Sequence, residues 1–395
     1  MDIKEIINNV SVDNLYNHLL KIEGIKHHIS GLDKLNETAE YIKNQLESYG
    51  VETFEQEFEF EGVNNVFKNV GGFIQGKSNA EIIISSHYDT VDNTKGANDN
   101  ASAVASMLEI ARVLSSLDKL EYSVRFISFT LEELHPLRYN KTLNKLKELD
   151  LIDEHNRSKN YSIHKARKEF SKLFNKARKK TKNYYEASLK ALELIKPKST
   201  PEEFEYFKFS SEQFKNISDY SESIGKSGIV GSNLWVEKAI AENHKILGVI
   251  NLETIGYTSK QKNSQKFPSP LFKIFPKYKT KLRKSVGDFI NIVGDKNSIK
   301  LAKLFSKNCK NEDIKLPYVR VAVPLNFEKI SKYLPDLLRS DHAPFWKHNI
   351  PALMITDSAD FRYPYYHTQA DTMEKLDYEF MEKVTKATVA TVLNF

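Results

Sequence analysis

Short apolar runs that stop on metal-binding side chains constrain this chain more than any other feature. EIIISSHYDT (81–90) and LEYSVRFISFT (120–130) have the composition of strands buried in a sheet, and ILGVINLETIG (246–256) adds a third strand. Between the first two stands GANDNASAVASMLEIARVLSSL (96–117), a turn of small residues and then a strong helix. That β–α–β rhythm predicts an α/β fold: a mixed, mostly parallel central β-sheet flanked by helices.

The remaining elements fit the same frame. Residues 11–50 read as two helices, the second near Asn36–Tyr49 and stopped by Gly50. Phe54, Phe58 and Phe60 alternate with polar residues as in a half-exposed strand, and Val66–Ile74 is a further strand candidate. Strands are also predicted at 288–294, 318–324 and 350–356, with helices over 231–245, 298–310 and about 378–393. A Lys/Pro/Ser-rich loop fills 258–283.

One segment breaks the rhythm. From His135 to Lys226 there are 21 Lys and Arg against 13 Asp and Glu, so the net charge of +6 belongs to this stretch. Helical patterns run through Lys141–Leu149 and Ser162–Ile195, with Pro197 and Pro201 expected to break the second. The segment is expected to be a Lys-rich helical insertion, 135–226, in a catalytic domain made of 1–134 and 227–395. Its mixed acids and sparse Arg argue against dedicated nucleic-acid binding.

Composition excludes several classes. With 40% hydrophobic residues the chain can build a core, so it is not a disordered polymer. No apolar run approaches the roughly 18–20 residues of a membrane span. The opening MDIKEIINNVSVDNLYNHLL carries early acids and no apolar core, unlike a signal peptide. Cys309 is the single cysteine, which excludes an internal disulfide and a Cys-based zinc site. Together these favour a cytoplasmic setting.

Five places put a metal-capable side chain after a predicted strand: His87 with Asp89, Asp99, Glu132 with Glu133, Glu253, and His367. Ligands of open α/β sheets bind at the carboxyl ends of strands, so these residues are expected to converge on one rim. Two imidazoles and three carboxylates suit a pair of divalent ions, with Asp99 the natural bridge. Neighbouring Glu132 and Glu133 point in different directions, so one can ligate while the other acts as a general base. Asp89 is placed to orient the His87 ring.

SSHYDTV (85–91), GANDNASAVA (96–105), FTLEE (129–133), GSNLWVEKA (231–239), NLETIG (251–256), SDHAPFWKHNIPAL (340–353) and YYHTQADT (365–372) resemble the co-catalytic di-zinc aminopeptidases. That family includes secreted bacterial and yeast vacuolar aminopeptidases, and glutaminyl cyclases are its relatives. The motifs cover roughly 15–134 and 227–393, in order. The resemblance implies a peptide hydrolase holding two zinc ions, or cobalt or manganese on the same ligands. It implies that His87 and His367 each hold one ion, that Asp99 bridges, that Glu132 is the general base and that Glu133 is a ligand. It implies peptide substrates and gives no oligomeric state.

Two departures stand out. Glu253 occupies the place where the family usually has Asp, one methylene shorter. The insertion follows the Glu-Glu pair where the family soon starts a helix. It reads either as a lid that favours short peptides and attracts acidic ones through its basic charge, or as a solvated helical hairpin with no part in selectivity. Tyr365 and Tyr366 are candidates for substrate contact or packing. Ser340-Asp341-His342 reads as structural, and Trp235 and Trp346 as core or pocket wall. The alternatives are a cyclase, a carboxypeptidase using Arg339 or Arg362 for the terminal carboxylate, or an inactive peptide-binding relative.

Overall fold

The apolar runs pair into a sheet. The computed structural model describes residues 2–154, 156, 158, 159, 161–178, 180, 181, 183–267, 271 and 285–395. Its strands are β1 (Glu52–Phe58), β2 (Phe67–Ile74), β3 (Ser78–His87), β4 (Tyr122–Phe129), β5 (Ile246–Glu253), β6 (Ile290–Gly294), β7 (Tyr318–Ala322) and β8 (Ala352–Thr356). They form one sheet in the order β1-β2-β4-β3-β5-β8-β6-β7. The pairs β3–β4, β3–β5, β5–β8 and β6–β7 are parallel, and β1–β2, β2–β4 and β6–β8 are antiparallel. This is the mixed, mostly parallel sheet that the sequence predicts.

Burial explains why the central strands read as continuous apolar runs. Ile82, Ile83 and Ile84 are consecutive and fully buried, so both faces of β3 are covered. Helix Ser102–Ser115 packs on β3, β4 and β5, and helix Tyr378–Leu393 packs on that helix. Edge strand β1 instead has its side chains partly exposed, as alternating Phe and charged residues require. Among the described residues no helix is long and apolar enough to cross a membrane.

The chain divides into two compact units. The larger runs to Glu59, through Asn65–Glu133 and from Ile229 to Phe395. The smaller comprises Phe60–Asn64 and Leu134–Gly228, so it takes in the tip of the β1–β2 hairpin as well as the Lys-rich segment. Phe60 therefore stands outside β1, and its ring lies 4.6 Å from that of His135. The small unit has its own core, in which Phe170 stacks on Phe207 at 4.7 Å between centroids.

The helices of this unit depart from the sequence pattern. The stretch 162–195 is two helices, Tyr161–Arg178 and Tyr184–Ile195, because the Asn183 side chain accepts the Glu186 N–H and caps the second. Pro201 opens a helix, Pro201–Glu212, at the position where a missing N–H costs nothing. Thr200 and Glu203 close the capping box there, at 3.2 and 3.0 Å. Three short helices, Ile3–Ile7, Phe327–Tyr333 and Ala343–Lys347, are absent from the sequence prediction, although Asp2 and Glu5 form a capping box and Asn326 an N-cap. Much of the predicted loop 258–283 lies outside the described residues.

Candidate metal centre

His87 is the last residue of β3 and Glu253 the last of β5. Parallel register places His87 opposite Phe129, the end of β4, and Ser85 opposite Asn251. Beyond β4 the chain turns through Leu131, at φ 56°, into Glu132 and Glu133. Three carboxyl ends thus share one edge.

Asp99 and His367 reach that edge differently from the strand-end expectation. Asp99 lies well past β3, in the distorted turn Ala97–Ala101 ahead of helix Ser102–Ser115. His367 lies well past β8, on a loop, at φ 56°. Loops rather than strand ends deliver these two side chains.

The five side chains nonetheless meet. His87 Nε2 is 3.3 Å from Asp99 Oδ1 and 3.4 Å from Glu253 Oε2. His367 Nε2 is 3.1 Å from Asp99 Oδ2 and 3.1 Å from Glu133 Oε2. Asp99 therefore turns one oxygen to each of two groups. In each group, His87–Asp99–Glu253 and Asp99–Glu133–His367, the donor atoms lie within 4.8 Å of one another.

Asp89 supports both halves of the site. Its Oδ1 is 3.5 Å from His87 Nδ1, on the ring side away from Asp99. Its two oxygens also accept the backbone N–H groups of Glu132 and Glu133, at 3.1 and 3.2 Å. One carboxylate thus faces the imidazole and pins the turn that carries the two glutamates. Glu132 is in neither Asp99-sharing group, although it approaches His87 and Glu133.

The charge balance points to cations. Asp89, Asp99, Glu253 and Asp341 are buried, and Glu132 and Glu133 are partly so. Burial pushes Glu132 well above the usual carboxylate range and Glu133 to about 7. Against the effect of burial, Glu133 and Asp99 raise His367 to about 10. Asp99, though buried, is held well below the usual range by His367 and His87. Both ring nitrogens of His87 are buried without a well-formed hydrogen bond among the described residues, meeting only carboxylate oxygens at 3.3–3.5 Å. Buried orphan atoms of this kind are costly unless an ion satisfies them. Two imidazoles and three carboxylates are the donor set of borderline divalent ions, so the residues fit such a pair.

Several supports escaped sequence reasoning. Asp371 is fully buried and accepts the backbone N–H groups of Asn98, at 2.8 Å, and Asp99, at 3.2 Å. The Tyr363 hydroxyl donates to the same carboxylate at 2.8 Å. Its place in YYHTQADT, close after His367, was the only available signal. Gly96 precedes Asp99 at φ 64°, and a Cβ there would meet the Asp99 carbonyl oxygen at 2.5 Å. Lys26 is buried and donates from Nζ to the carbonyls of Gly24 and Lys95, at 2.8 and 3.2 Å.

The other candidates separate. Ser340 Oγ donates to Glu253 Oε2 at 2.7 Å, so the SDH segment touches the centre itself. Asp341 is buried with both oxygens unpartnered among the described residues, and burial pushes it up to about 7. Tyr366 stacks on His367 at 3.8 Å, whereas Tyr365 packs against Tyr363. Arg362 is buried with its donors taken by Gln265 and the carbonyls of Tyr257 and Phe289. Trp346 is core and donates to the Ala352 carbonyl, and buried Trp235 packs near Phe129, His244 and Phe345.

The sequence profile of peptidase family M28 matches residues 69–392, a span that holds all of these side chains except Lys26. The chain belongs to peptidase family M28. It is accordingly a peptide hydrolase of the kind built around a metal-binding residue cluster. The uncharacterized protein YfbL of Escherichia coli K12 is 25% identical over 378 residues, covering 92% of this chain and 81% of YfbL. Aminopeptidase YwaD of Bacillus subtilis is 41% identical over 70 residues, 18% of this chain and 15% of YwaD. Among solved structures, the LapA aminopeptidase of Legionella pneumophila superposes with a TM-score of 0.56 at 17% identity, over 99% of this chain and 73% of LapA. A glutaminyl cyclase of Porphyromonas gingivalis gives 0.54 at 13%, over 97% and 98%. At these identities the likeness to the solved structures is one of fold.

Proposed function

We propose that this M28 member is a metallo-aminopeptidase that removes the N-terminal residue of peptides. The observation that carries the reading is Asp99, which offers one oxygen to each of two donor groups while Glu132 stays outside both. Residues His87, Asp99 and Glu253 would hold one divalent ion, and Asp99, Glu133 and His367 the other. Zinc, cobalt or manganese bound there would supply polarisation of the scissile carbonyl and acidification of water.

The chain's own residues supply the rest. Glu132 takes the proton of the attacking water and delivers it to the leaving nitrogen. Asp89 keeps the Glu132–Glu133 turn fixed through its two backbone bonds, so the base does not drift. The acidic side chains of Glu132 and Glu253 suit the substrate's ammonium group. The extra methylene of Glu253 is accommodated by the bond from Ser340, which fixes one of its oxygens. A carboxypeptidase would need a spare cation; Arg362 spends its donors on the fold, and Arg339 is paired with Asp360. A reducing, cytoplasmic setting completes the reading, supported by the lone Cys309, which is buried.

A peptide panel tests this. Free-amine peptides and Leu-p-nitroanilide should be hydrolysed from the N-terminus, and N-acetylated peptides should resist. Equal cleavage of acetylated peptides, release from the C-terminus, or ammonia loss from N-terminal Gln without hydrolysis would each defeat it.

A further inference from the structure

The sheet edge beside Glu253 carries a pocket. Its floor is one face of the β8, β6 and β7 strands. Asn291 pairs with Thr356, and Val293 pairs with Met354 on one side and Val321 on the other. All five line the pocket, and Glu253 pairs in turn with Thr356 at the next strand. A peptide whose scissile carbonyl lies at the donor groups has its α-carbon one bond away. Its first side chain then passes Glu253 and lies along this mostly apolar floor.

A charged pair stands in the wall. Arg339 Nη1 is 3.1 Å from Asp360 Oδ1, with the two side chains 35% and 45% exposed. Arg339 directly precedes Ser340, whose hydroxyl bonds Glu253. The Arg339 backbone is therefore anchored at the reacting end of the pocket; its guanidinium is the only one among the described lining residues, which also include Lys266. To pair with Arg339, a substrate carboxylate in the pocket would have to displace Asp360 and would face its negative charge at short range. An uncharged side chain meets neither obstacle.

We propose that Asp360 sets the side-chain preference of this pocket. Paired with Arg339 it reserves the floor for a large uncharged N-terminal side chain, and its removal turns the pocket toward Asp and Glu. This rests on the aminopeptidase reading. Partly exposed ion pairs are held weakly, so the pair can be altered without disturbing the core. Asp336 also lines the wall and can take up a released Arg339, so the double variant is needed beside the single one.

The test compares kcat/KM on Leu- and Glu-p-nitroanilide for the parent, Asp360→Asn and Asp336→Asn/Asp360→Asn. The parent should favour Leu. The Glu-to-Leu ratio should rise about tenfold or more in at least the double variant, as expected when a carboxylate gains a charged partner in a specificity site. That gain should shrink at about 0.5 M salt through screening, and disappear when Arg339→Met is added. A parent that already prefers Glu overturns the proposal. So does a ratio that moves less than about twofold in both variants while Leu is still cleaved. If the parent cleaves no free-amine substrate, the aminopeptidase reading itself has failed and this inference falls with it.

Discussion

Asp371 holds the loop that presents the shared carboxylate, so Asp371→Asn should weaken metal binding without touching a metal donor. Oδ1 accepts two hydrogen bonds, from the Asn98 N–H at 2.8 Å and the Tyr363 hydroxyl at 2.8 Å. Oδ2 accepts one, from the Asp99 N–H at 3.2 Å. The amide oxygen of Asn will keep the doubly bonded side. Its NH2 must then face the Asp99 N–H, donor against donor, in a fully buried place. One charge-assisted bond is lost, at about 1.5–3 kcal/mol, and a buried donor is stranded, at about 1–3 kcal/mol. Loop relaxation will recover part, leaving about 2–4 kcal/mol between global stability and the position of Asp99. Outer supports of metal sites typically carry about 10–100-fold in affinity, so that is the expected drop. Because both donor groups use Asp99, both ions should loosen together. Competition of the apoprotein with a fluorescent chelator reads this directly. Tyr363→Phe leaves both amide bonds intact and should cost about 1 kcal/mol with little change in affinity. Unchanged affinity for both ions in Asp371→Asn, at unchanged thermal stability, would refute this account of how Asp99 is held.

Other outcomes follow from the same geometry. Glu132→Gln should retain its ions and lose about 10²–10⁴-fold in kcat, whereas Glu133→Gln should lose one ion; swapped results would exchange their roles. His18 is buried beside Tyr41, and burial lowers it to about 4 from 6.5. The unfolded chain therefore binds a proton that the folded one refuses between those values, and stability falls as pH drops from 6.5 toward 4, by up to about 3 kcal/mol from this group. His18→Gln should flatten that part of the pH dependence of the urea midpoint, and an unaltered slope would contradict it. The Ile229 N–H bonds the Glu132 carbonyl at 2.7 Å, so the chain leaves and re-enters the larger unit side by side. A short Gly-Ser linker can therefore replace 137–226, and we expect intact metal binding, a larger change on long peptides than on dipeptides, and weaker salt dependence on acidic ones. Unchanged length and salt dependence in that variant would make the segment a bystander.

The parts of this protein legible in its sequence are those fixed by local pattern. Buried central strands carry apolar residues on both faces through their middles, so 81–87, 122–129 and 246–253 announce themselves. Helix Tyr378–Leu393 lies where the sequence pattern predicts one, over about 378–393, and Asp377 caps it. His87 and Glu253 are legible because a carboxylate or imidazole ending an apolar run has few other uses, whereas Asp99 and His367 stand on loops. What was not legible depends on contacts distant in sequence. Nothing local shows that Asp371 reaches back to the amides of Asn98 and Asp99, or that Ser340 meets Glu253. Nor does Phe60 announce that it leaves the hairpin to join the Lys-rich unit. Pro201 misled because the same missing N–H breaks a helix from inside and starts one from its first position.

Metal content with activity is the most direct test of the central proposal. Purified protein should be stripped with a strong chelator, titrated with zinc, and assayed on Leu-p-nitroanilide at each point. Activity should vanish on stripping and return, with two ions bound per chain at saturation, and Asp99→Asn should lose both ions while Glu132→Gln keeps both without turnover. Full activity in the stripped protein, or saturation at a single ion with full activity, would contradict the shared-carboxylate centre.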